Sequence, residues 1–80
     1  MEEKLIPLSK LREGQRGLVK EILLQDDMRR RVQEFGFIPG SRVECLRRAP
    51  AGSPVAYGVL DAVVALRRKD AGRIRVLPWD

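Results

Sequence analysis

The chain has 80 residues, 44% apolar and 34% charged, with sixteen basic against eleven acidic side chains, no histidine and one cysteine. A chain of this length makes one domain with a small core, burying only about 60% of the surface its unfolded form exposes. An internal disulfide and a soft-ligand metal site are excluded, and no apolar run approaches the roughly 20 residues that span a bilayer.

The net charge of +5 and a pI near 10.1 point to nucleic acid, anionic headgroups or an acidic protein as partner. Twelve of the sixteen basic residues are arginine. The amino-terminal residues are acidic where a signal peptide is positive, and Pro7 and Ser9 interrupt the apolar residues that follow. The expectation is a single soluble domain over residues 1–80, located in the cytoplasm.

Residues 5–17 show no sustained period, and Leu5, Leu8 and Leu11 are expected to pack as a short strand and turn. Residues 18–24 read as a strand with Leu18, Ile22 and Leu24 on one face and Val19 and Leu23 on the other. In residues 25–36, Met28, Val32 and Phe35 recur at helical spacing, which predicts a short amphipathic helix. Asp26 or Asp27 is expected to cap it, Asp27 and Arg31 to pair four residues apart, and Gly36 to stop it. Pro39-Gly40 suits the centre of a type II turn.

Residues 42–48 form the next predicted strand, with Val43 and Cys45 on one face and Leu46 on the other. After a loop at 50–54, residues 55–60 alternate Val55, Tyr57 and Val59 against the small Ala56 and Gly58. Residues 62–68 predict a strand, 69–72 a single tight turn, and 73–78 a last strand with Ile74 and Val76 inward. About five short strands with one helix inserted after the first long strand favour a small β-barrel over an open sheet, because closure removes exposed edges.

The inventory is poor in chemistry. Without histidine the usual neutral-pH acid/base is missing, and Ser9, Ser41 and Ser53 each sit beside a turn, where serine serves the backbone. Cys45 alternates with Val43 and reads as a small core residue rather than a nucleophile. No glycine-rich phosphate loop is present. Asp26-Asp27 reads as a helix cap rather than a pair of metal ligands, and Glu34, Glu44 and Asp61 are scattered. The expectation is therefore no enzyme, no cofactor and no metal site. Nucleic acid is not expected either, since single strands want aromatic platforms and the chain offers only Phe35, Phe37, Tyr57 and Trp79. The arginines at 29–31, 47–48 and 67–68 read as solvated rim. The helix face Arg29, Arg30 and Gln33, with the loop edge Arg47, Arg48 and Tyr57, is the expected partner-binding surface.

From Leu8 to Val76 the chain resembles the FeoA family, the small ferrous iron transport protein A of bacteria. Gly14, Gly17 and Val19 stand where the family starts a strand. Phe35-Gly36-Phe37-Ile38-Pro39-Gly40 is similar to its Leu-Gly-Leu-x-Pro-Gly block, with phenylalanine twice in place of leucine. Val43-Glu44-Cys45, the loop prolines and glycine at 50, 52 and 54, Ala65-Leu66-Arg67 and the ending Ala71 to Val76 complete the ordered set, with Cys45 where an aliphatic is usual. The resemblance implies an SH3-like β-barrel. It also implies a non-enzymatic accessory protein that docks on the cytosolic GTPase region of the ferrous iron permease FeoB, touching the membrane only through the permease. Independently of the resemblance, a small barrel with exposed edges and apolar tips allows a weak homo-oligomer. Two other readings are a free-standing relative of the SH3-like domain of iron-dependent repressors, and a basic nucleic-acid-binding barrel.

Overall fold

A computed structural model of the protein describes residues 3–79. Its strands are β1 (Ile6–Pro7), β2 (Arg16–Ile22), β3 (Arg42–Arg48), β4 (Val55–Val59), β5 (Ala62–Leu66) and β6 (Ile74–Trp79). A 3-10 turn at Leu8–Lys10 follows β1, helix α1 (Asp26–Phe35) lies between β2 and β3, and α2 (Arg68–Ala71) lies between β5 and β6. The strands form one antiparallel sheet in the order β1-β6-β2-β3-β4-β5. The expected count of about five strands thus becomes six, the extra one being the two-residue β1. The residues expected to make a turn at 69–72 are instead the core of α2, where the Ala71 N–H donates to the Arg67 carbonyl at 3.0 Å.

The two end strands, β1 and β5, are not hydrogen-bonded to each other, so the SH3-like barrel is rolled but not closed. Its roll shows in the core. Leu8, Val19, Val43, Tyr57, Leu66 and Ile74, drawn from most of the sheet and the 3-10 turn, meet in one buried cluster with Val32 of α1.

β2 departs from simple alternation. Val19 pairs with Val76 and Glu21 with Arg75, leaving Lys20 as an extra residue in a β-bulge. The bulge shifts the phase, so Val19 and Ile22 both face the core and Leu18 does not. The expected grouping of Leu18, Ile22 and Leu24 on one face holds only for Ile22 and Leu24, and Leu23 remains exposed.

Helix α1 starts without a side-chain cap. Asp26 and Asp27 occupy its first turn, where carboxylates suit the positive pole, but neither caps a backbone N–H. Asp27 is paired at 2.9 Å with Arg30, three residues on, rather than with Arg31. The exit is better defined. Gly36 has φ 114°, its N–H donates to the Gln33 carbonyl at 3.0 Å, and the Phe37 N–H reaches back to Val32 at 2.9 Å. This double closure needs a residue that tolerates positive φ, which is why glycine stands there. It sends Phe37 into the core, while Phe35 and Ile38 stay half exposed. Ser41 then donates to the Ile38 carbonyl at 3.0 Å across Pro39-Gly40, with Gly40 at φ 95°, the type II geometry expected from the dipeptide. Met28, Val32 and Phe35 line a cleft shared with Ala65 and Leu66, so α1 stands across a cleft from β5.

Candidate docking surface

The residues picked from sequence as a partner surface fall into different situations. Tyr57 is not at the surface: it is 0% exposed, its ring meets Phe37 edge-on with centroids 6.5 Å apart, and its hydroxyl donates to the Leu8 carbonyl at 3.4 Å. Burial pushes its pKa up to about 12. Its place in the Val55–Tyr57–Val59 alternation decides this, because every second residue of β4 points inward.

Arg48 is half buried and works inside the fold. One guanidinium nitrogen donates to the Ser9 carbonyl at 2.9 Å and to the Leu11 carbonyl at 2.6 Å, and its backbone N–H donates to Glu13 at 2.8 Å. It straps the first segment onto β3, giving buried carbonyls the charged partner they need. Arg29 ties α1 to β2 through a 2.6 Å hydrogen bond to the Ile22 carbonyl. Arg30 is paired with Asp27, Gln33 is half buried on the same helix, and Arg47 is exposed opposite Ala56. Arg29, Arg30 and Gln33 share α1, whereas on the neighbouring strands β3 and β4 Arg48 and Tyr57 turn toward the Leu8–Leu11 segment and Arg47 alone faces outward.

Cys45 is fully buried and its thiol pKa is raised by desolvation, so it is a core residue without a nucleophile's environment. Among the described residues no three histidine, cysteine, aspartate or glutamate side chains gather as a metal-ion site. None of their helices is long and apolar enough to cross a membrane.

A more distinctive surface lies on the outer face of the sheet. Arg16, Glu44, Gly58 and Val63 stand side by side across β2, β3, β4 and β5, in register and alternating with the buried positions. Around them Val63 is 72% exposed, Leu60 74%, Ile38 46% and Leu46 39%. Scattered exposed apolar residues are ordinary, but several gathered on one face mark an interaction site. Ile38, Val43, Gly58 and Leu60 line an open trough of about 690 Å³, with Arg16, Arg42 and Glu44 at its rim. Arg16 approaches Glu44 at 3.9 Å, while Arg42 has no ion pair among the described residues. Sequence did not single this face out. The available signal is the run Ala62 to Leu66, apolar at every position, where a half-exposed strand would alternate with polar residues.

The model of the FeoA domain matches residues 6–78. The chain belongs to the FeoA family. A fusion protein of Fe(2+) transport protein A and the Fe(2+) transporter FeoB from Porphyromonas gingivalis (strain ATCC BAA-308 / W83) is 35% identical over 69 residues. That match covers 86% of this chain and 8% of the fusion protein, so the chain spans a small part of that relative. The FeoA of Stenotrophomonas maltophilia complexed with zinc, an SH3 domain protein, superposes with a TM-score of 0.76 at 30% identity over 86% of each chain. A manganese-dependent transcriptional repressor gives a TM-score of 0.85 at 25% identity, covering 99% of this chain and 44% of the repressor. The SH3-like fold expected of an FeoA domain is the one observed.

Proposed function

We propose that this FeoA-family protein is an accessory component of ferrous iron uptake that docks on the permease FeoB, at its cytosolic GTPase region, and regulates it without performing chemistry itself. The observation that carries the reading is the fusion in the Porphyromonas gingivalis relative, where an FeoA-like segment and an FeoB transporter share one polypeptide. Covalent linkage of two modules supplies an effective concentration of order millimolar, so it is useful where the modules engage each other with modest affinity. An apolar face rimmed by arginines fits such a contact, and the net charge of +5 favours an acidic partner surface.

The test is binding of this protein to the isolated cytosolic GTPase domain of FeoB from the same organism, measured by calorimetry at low and physiological salt. Saturable binding that weakens with salt and alters the rate of GTP turnover is the expected result. Absence of binding at both salt concentrations would overturn the reading.

A further inference from the structure

Gly58 lines the trough without a side chain of its own. It lies in the interior of β4, it does not adopt positive φ, and a Cβ built on it would meet only Leu46 side-chain atoms at 3.5–3.7 Å, an ordinary contact. Glycine weakens a strand by conformational entropy and by leaving nothing to pack. Gly36, by contrast, is required by its φ of 114°. A mid-strand glycine marks either a bulge or a place where something approaches the backbone closely, and here β3 bulges at Leu46 beside Gly58 while the trough opens over it. Its position agrees: Gly58 lines the trough, between Leu46 on one side and Val63 directly across on β5.

We propose that the trough over Gly58 is the receptor for one aliphatic side chain of a cytosolic FeoB segment, with a carboxylate beside that anchor engaging Arg42. This rests on the FeoB-docking reading above and names its surface. Ile38 and Leu60 supply the apolar walls, Leu46 and Val63 flank Gly58, and the missing side chain at Gly58 supplies the depth. The charge complement follows from the rim. Glu44 is already opposed by Arg16, so the unmatched charge there is the cationic Arg42, which selects an acidic rather than a basic flank. An aliphatic anchor in a desolvated pocket ringed by charge is the usual layout of an interface hot spot.

The decisive variant is Gly58→Val. It fills the trough with a residue suited to strands, and the space above Gly58 admits the added Cβ, so the thermal midpoint should stay or rise. Binding to the FeoB cytosolic domain should weaken by about tenfold or more, the loss expected when a hot-spot pocket is blocked. Arg42→Gln should weaken binding and flatten its salt dependence, while Arg30→Glu on α1 should change affinity by less than about threefold. If the unaltered protein binds and Gly58→Val binds equally well, the trough is not the docking site, although the docking reading survives. If the unaltered protein does not bind, both fall. Should Gly58→Val fail to fold, Leu60→Ser and Val63→Ser carry the same test at exposed positions. Concentration-dependent self-association abolished by these variants, with FeoB binding unaffected, would assign the trough to a second copy of this chain and overturn the proposal.

Discussion

Replacing Gly36 with alanine isolates the exit of α1. Two penalties follow from the structure: an L-residue is forced to φ 114°, and the new Cβ falls 2.7 Å from Leu60 Cδ1 and 3.0 Å from its Cγ. The first has no escape, because the N–H groups of Gly36 and Phe37 are both committed to closing the helix. Left-handed backbone costs about 1–2 kcal/mol for an L-residue. The second penalty is small, since Leu60 is exposed and can rotate away at a cost of about 0.5 kcal/mol. Alanine also restricts the unfolded chain, which offsets about 0.5–1 kcal/mol. The net is a loss of about 0.5–2 kcal/mol, which is a fall in thermal midpoint of about 2–16 °C for a domain of this size. Urea denaturation of Gly36→Ala, Leu60→Ala and the double variant measures it. The backbone account requires Gly36→Ala to be nearly as damaging in the Leu60→Ala background as alone. Recovery of most of the loss in the double variant would refute it and make the Leu60 contact the cause.

Three further outcomes are expected. Arg48→Met should lose about 1.5–3 kcal/mol of stability in urea denaturation, since the Ser9 and Leu11 carbonyls lose a charged donor, while Arg47→Met should stay within about 0.5 kcal/mol. The folded pKa of Tyr57, about 12, lies above its ordinary 10.0, so the native state holds the phenolic proton more tightly than the unfolded chain. That contribution is complete below pH 10 and is lost as pH rises through about 12, so Tyr57→Phe should blunt the alkaline loss of stability followed by circular dichroism. Cys45 should react with a thiol reagent only at the rate of opening of the fold, because it is fully buried and its thiol is held protonated; rapid labelling of native protein would contradict this.

Local signals carried much of the architecture. Helix spacing, the Gly36 stop and the Pro39-Gly40 turn are encoded within a few residues, and each appears where the sequence places it. The phase of β2 was not legible, since a bulge at Lys20 is set by pairing with β6, far along the chain. The role of Arg48 was hidden for a similar reason: its acceptors are the carbonyls of Ser9 and Leu11, which no charge pattern reveals. Tyr57 was legible and misread: it was grouped with the loop edge although the alternation of β4 points it inward. The apolar outer face was missed because Leu60, Val63 and Ile38 belong to three separate segments that look like core when read singly.

The position of α1 beside β5 also governs what happens when the fold is damaged. β5 is an end strand without a charged residue or a proline, a combination that invites another chain to pair with it. Natural sheets guard such edges with charge, bends or a covering element, and here α1 stands across a cleft from the edge. Detaching α1 would therefore widen access to a sticky template rather than merely loosen the domain. Variants that weaken its anchorage at Arg29 or its closure at Gly36 should be lost from cells through aggregation at temperatures where most of the sheet is still folded.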